Sequence, residues 1–158
     1  PERTRWEAAA GRAQARHPAI QVSFSGWMSA VQVQALFAAS DLLVIPSLWP
    51  EPFGLVGPEA GLHGVPAAGF AVGGIPEWLI DGINGHLAPG DPPTAAGLAQ
   101  AVVKCLRDPT EYQLLRRNAS KMAARFSVGA HISSLLRIFE EAIGCRPQLV
   151  AAGSPALN

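Results

Sequence analysis

Two carboxylates, Glu51 and Glu59, are separated by seven residues in the stretch PSLWPEPFGLVGPEAGLHGVP, which runs from Pro46 to Pro66. An ionised carboxylate only accepts hydrogen bonds, so it suits ligand hydroxyls, a metal ion or, in a pair, acid and base work on a glycoside. Metal binding is disfavoured here, because the one further ligand type nearby is His63, four residues past Glu59. The plain structural alternative is a loop carboxylate at Glu51 and a helix carboxylate at Glu59, each facing solvent or backbone.

The elements around the pair decide what it can reach. LLVIPS, with Leu42–Ile45 as its strand, is a continuous apolar run of the length expected for a buried parallel strand. It delivers the chain into PSLWPEPFG, so this loop should lie at the carboxyl edge of a sheet, where open parallel sheets bind ligands. The next helix is expected to start near Gly54 and close at Gly64, and no earlier than about Phe53, because Pro58 must sit in its first turn. The backbone N–H groups of Gly54, Leu55 and Val56 would then face the crevice and suit phosphate. Glu59 would lie roughly 7 Å along the axis, with Glu51 on the near side of the helix mouth. Acceptors on both sides of a phosphate-binding mouth fit a sugar–diphosphate–nucleoside.

The rest of the chain supplies a frame of alternating elements. Residues 2–16 read as a polar, Ala-rich helix, and IQVSFSG alternates as a strand through Ile20, Val22 and Phe24. Ser29 and Gln32 form a capping box for the following helix. VPAAGFA and NGHLAP read as short strands, with IPEWLIDG between them as a helix of about two turns. From Thr94 the chain is helical: Ala95–Arg107, a helix capped by Asp108, and Val128–Ile143. The fold class is therefore α/β, a Rossmann-like parallel sheet of about four strands with flanking helices and a helical C-terminus. Residues 1–144 read as one domain, and 145–158 as a wandering tail.

Composition narrows the function classes. The chain is 49% hydrophobic but only 15% charged, which hints that some surface is covered by something else. No Lys or Arg lies between His17 and Val103, a poor surface for nucleic acid. Cys105 and Cys145 have no metal-ligand spacing and read as reduced thiols. His17, His86 and His131 stand alone and read as structural or solvated; Trp27 and Trp78 read as packing residues, and Trp49 as a pocket residue. No apolar run reaches membrane-spanning length. The expected location is cytoplasmic, with a peripheral membrane contact left open. No cofactor and no metal are expected.

PSLWPEPFGLVGPEA and GVPAAGFAVGGIPEWLIDGINGHLAPGD together resemble the donor-binding half of retaining glycosyltransferases of the GT-B fold, family 4. FSGWMS, LFAASDLLVIPS and LRRNASKMAARFS extend the resemblance from about Phe24 to Arg125. It implies that Glu51 contacts donor-sugar hydroxyls as the catalytic-site carboxylate and that Glu59 binds the ribose. It further implies that backbone amides from Phe53 through Gly54 and Leu55 to Val56 approach the sugar and diphosphate, and that Gly26 and Trp27 border the base. Gly73 and Gly74 of VGGIPE stand beside the site or serve packing. Gly57-Pro58 departs from the bulkier aliphatic residues common there, and Gly61 admits a close neighbour. A GT-B epimerase or phosphorylase fits the pair less well than a transferase.

The resemblance also implies pieces that this sequence does not contain: two strands with a Gly-rich turn and an Arg/Lys pair facing the diphosphate, and an acceptor-binding N-terminal domain. We therefore expect the donor-binding part of a hexosyltransferase using a UDP-, GDP- or ADP-linked sugar, inactive by itself. The alternative is a non-catalytic nucleotide-sugar-binding subunit or interaction module of a split transferase. A reading frame extending about 200 residues upstream, the size of an added domain, would favour the former. With two strands lacking, the sheet should change its strand order or pair with another chain, giving a homodimer through an open edge.

Overall fold

A computed structural model describes residues 2–144. The stretch read as a tail, and Cys145 with it, lies outside the described residues. The chain divides into two units, one up to Gln34 and one from Ala35.

The first unit holds α1 (Glu2–Arg16) and the start of α2 (Ala30–Ala38). The Ser29 backbone N–H donates to Gln32 Oε1 at 2.8 Å and Gln32 N–H to Ser29 Oγ at 3.4 Å, the reciprocal box that the sequence predicts. The strand expected over Ile20–Phe24 does not form. Ile20, Val22 and Phe24 are 46%, 39% and 43% exposed. An alternating pattern makes a strand only when a neighbour takes its backbone groups, and none of the described ladders includes this segment.

The second unit is built on three parallel strands in the order β1 (Leu43–Ile45), β2 (Ala67–Phe70) and β3 (Gly85–Ala88). Leu43 pairs with Ala67, and Ala67 with Gly85. Among the described residues the sheet therefore has three strands where about four were expected, and the strand order follows the sequence. The central strand is buried along its whole length, as a parallel strand covered on both faces must be. Its alternation sorts the core into two layers. Ala68 and Phe70 pack with Ala101, Cys105 and Leu115 from α5 (Ala95–Leu106) and α6 (Pro109–Arg125). Ala67 packs on the opposite face with Ile45, Ile75, Trp78 and Leu79.

The helices begin where local chemistry dictates. Thr94 Oγ1 accepts from Gly97 N–H, and Asp108 Oδ1 accepts from the N–H groups of Thr110 and Glu111. The crossover helix α3 is shorter than expected, Val56–Leu62, with Leu55 as its N-cap. Gly54 takes φ +79°, which turns the chain before the helix can start. α4 (Ile75–Trp78) has one turn instead of about two. Buried Asn84 explains the stop: it accepts from Ile80 N–H and donates to the Trp78 carbonyl, drawing the chain into a turn. α7 (Val128–Gly144) has no buried residue. Cys105 is fully buried and its thiol donates to the Ala67 carbonyl at 3.6 Å.

Candidate functional site

The loop after β1 is held from below by α4 and by the turn before it. Trp78 Nε1–H donates to the Phe53 carbonyl at 2.6 Å, and Gly74 N–H donates to the Glu51 carbonyl at 2.7 Å. Both anchors sit under the carboxyl end of the sheet. Gly73, at φ +53°, lets the turn press against this loop: a Cβ there would lie 2.2 Å from the Glu51 carbonyl oxygen, and one on Gly74 2.2 Å from that of Pro52. Of the two roles open to Gly73 and Gly74 in the sequence, the structure displays packing against the Glu51 loop.

The same logic explains the departure at Gly57. Its missing Cβ would sit 2.0 Å from Trp78 Cη2, so the buried indole occupies the space that a bulkier residue would need. Gly61 likewise faces α6, where a Cβ would stand 3.0 Å from the Ala119 carbonyl and from Ala123 Cβ. The close neighbour expected at Gly61 is therefore helix α6. Glycine at both positions lets α3 lie against its surroundings.

Glu51 is half-buried and Glu59 exposed. Neither carboxylate has a hydrogen-bond or ion-pair partner among the described residues. Glu59 stands in the first turn of α3, not five residues into it as the earlier start implied, and its N–H donates to the Leu55 carbonyl. A first-turn carboxylate also favours the helix dipole, which is the structural role open to it. Gly54 lies close to Glu51: a Cβ on it would be 3.3 Å from Glu51 Cγ. Leu55 and Val56 are exposed, and Phe53 is half-buried against Phe126, edge to face at 5.1 Å. Gly26, at φ +67°, and Trp27 belong to the first unit. Trp27 is 100% exposed, which overturns its packing role, whereas Trp78 is buried as expected.

Neither Glu51 nor Glu59 lines any of the three cavities described in the second unit. A cavity of about 450 Å³ instead joins Phe53 and Leu55 to Arg125, Phe126, His131 and Ser134. His131 reads as solitary in the sequence, and nothing in its neighbourhood along the chain could have revealed this grouping. His86 is structural, as expected. Its ring lies between Asp81 Oδ1 at 3.0 Å and Glu111 Oε1 at 3.4 Å. Burial pushes the Asp81 carboxyl up, but the Leu87 N–H and His86 outweigh it and hold it below the usual carboxylate value. No group of metal-ligating side chains occurs among the described residues, and no described helix is long and apolar enough to cross a membrane.

Comparison with known proteins follows the same elements. The family model for glycosyl transferases group 1 matches residues 7–122. The D-inositol 3-phosphate glycosyltransferase of Salinispora tropica is 36% identical over 109 residues, covering 69% of this chain and 22% of that protein. The protein of the same name in Mycobacterium bovis BCG is 36% identical over 126 residues, covering 78% and 26%. The chain thus spans about a quarter of the length of these relatives. Among solved structures, Anabaena HepE in complex with UDP and glucose superposes with a TM-score of 0.69 at 29% identity, over 83% of this chain and 35% of that one. Sucrose-phosphate synthase from Thermosynechococcus elongatus gives 0.72 at 30% identity, over 90% and 35%. With its parallel sheet, its flanking helices and this match over most of its length, the chain belongs to the glycosyl transferases group 1 family, of GT-B type.

Proposed function

We propose that this chain is the donor-binding part of a retaining glycosyltransferase, which moves a sugar from a nucleotide-diphosphate sugar to an acceptor hydroxyl. Glu51 takes the sugar hydroxyls and Glu59 the ribose, with the Phe53–Val56 backbone between them. The observation that carries this reading is the pairing of a doubly anchored loop with two carboxylates that have no partner among the described residues. A preorganised acceptor with no internal partner is what a hydroxylated ligand needs. The UDP and glucose bound by the HepE neighbour, and its UDP-glucose complex, support the same ligand class.

Leaving-group departure builds negative charge on the diphosphate, and that charge needs fixed cations. The stretch between His17 and Val103 has no Lys or Arg, and α3 is too short to replace them. This favours, as the second reading, a nucleotide-sugar-binding subunit whose cationic groups come from another domain or chain.

Calorimetry with UDP and UDP-glucose tests the site. Glu59→Ala should weaken both by about tenfold, the worth of a hydrogen bond to a charged group. Glu51→Ala should weaken UDP-glucose and leave UDP unchanged. Indifference of both ligands to both substitutions would end the reading. GDP and ADP, titrated alongside, identify the base.

A further inference from the structure

The cavity between the Phe53–Leu55 loop and the corner where α6 meets α7 has a composition that the carboxylate pair does not explain. Its volume of about 450 Å³ lies in the range of small-molecule sites. Its apolar wall is the edge-to-face pair Phe53 and Phe126, with Leu55 beside them at 66% exposure. Its polar groups are Arg125, His131 and Ser134, and no acidic residue lines it.

None of these polar groups is spoken for. Arg125 makes no ion pair among the described residues, and its one side-chain hydrogen bond there is the weak one to Met122 Sδ at 3.8 Å. The His131 ring has no partner among the described residues. A cation in the last turn of α6 complements the helix dipole, and that alone would account for Arg125. It would not account for His131 and Ser134, three apart on α7 and so on one face, turned to the same cavity. An uncharged apolar guest would strip water from the guanidinium without replacing it, and a bare inorganic anion would leave the aromatic wall wet.

We propose that this cavity binds a small organic anion with an apolar body on the Phe53–Phe126 wall and a phosphate or carboxylate head on Arg125. The His131 ring and the Ser134 hydroxyl supply the remaining hydrogen bonds. Arg125 is permanently charged and can grip either head in a two-pronged fashion. Phe53 and Leu55 border this cavity and also belong to the stretch whose backbone the nucleotide-sugar reading uses, but the two readings are told apart by side chains: neither Glu51 nor Glu59 lines the cavity, and Arg125, His131 and Ser134 take no part in the nucleotide-sugar reading.

The test is calorimetric titration of the full chain with phenyl phosphate, benzoate, benzyl alcohol and inorganic phosphate. At least one of the two aromatic anions should bind about tenfold tighter than both benzyl alcohol and inorganic phosphate, and the better of them names the head group. Arg125→Gln should remove about tenfold of that affinity, and His131→Gln a smaller part, while Arg117→Gln, on exposed α6 surface, should change nothing. Circular dichroism checks that each exposed-site variant is folded. Aromatic anions binding no better than benzyl alcohol or than inorganic phosphate, or binding insensitive to Arg125→Gln, would overturn the proposal.

Discussion

The indole N–H of Trp78 donates to the Phe53 carbonyl at 2.6 Å, tying the one-turn helix after β2 to the loop after β1. Trp78→Phe keeps an aromatic ring but leaves that carbonyl without its donor. The expected cost is about 1–3 kcal/mol for a half-buried orphaned group and the lost volume. Urea denaturation measures it, and UDP-glucose affinity should drop in parallel because the loop is less well held.

Gly57 and Gly11 make an internal comparison. Alanine is worth up to about 1 kcal/mol over glycine inside a helix. At Gly11 nothing lies within 4 Å of the added carbon, so Gly11→Ala should stabilise by that amount or somewhat less. At Gly57 the added carbon would fall on the Trp78 ring, and overpacking of about 1–3 kcal/mol should exceed the gain. The two thermal midpoints should move in opposite directions.

Gly73→Ala combines a left-handed backbone, φ +53°, with a clash against the Glu51 backbone. Relief requires the Glu51 loop to lift. We expect destabilisation of about 2 kcal/mol or more and loss of measurable nucleotide-sugar binding. A Gly73→Ala protein that binds UDP-glucose normally would show that loop position is irrelevant to binding.

Asp81 sets an acid limit on stability. Its carboxyl titrates below its ordinary value in the fold, so the unfolded chain takes up the proton first as pH falls. Its contribution is fully present above about pH 4, the value for a free carboxyl, and is lost as pH drops through the lower folded value. Asp81→Asn retains an oxygen for the Leu87 N–H but removes the charge beside His86. Its stability deficit at neutral pH should shrink steadily below pH 4, followed by thermal melts across that range.

What the sequence disclosed, and what it concealed, divides along the range of the interactions. Ser29 with Gln32, Thr94 and Asp108 cap their helices through partners two or three residues away, so a linear reading finds them. The parallel strands were visible as apolar runs between glycines and prolines. Ile20–Phe24 was over-read because a strand is a property of a pair, and its alternating pattern carries no information about a partner. α4 was over-read because Asn84, beyond the helix, ends it. In the candidate site, the carboxylates and Gly54 ahead of α3 are legible from spacing. The seating of Gly57 on Trp78, and of His131 near Phe53, depends on contacts across the fold that no local pattern encodes.

The thiol of Cys105, sealed between the sheet and α5, is pushed up to about 11 by its burial. It is thereby a reporter built into the molecule. With Cys145 replaced by serine, alkylating reagents can modify only chains whose inner layer has opened, because both contact and ionisation are denied in the closed form. The labelling rate becomes a clock for cooperative opening. If a nucleotide sugar held at the proposed Glu51–Glu59 site slows this clock, the stiffening has spread from that loop into the whole layer.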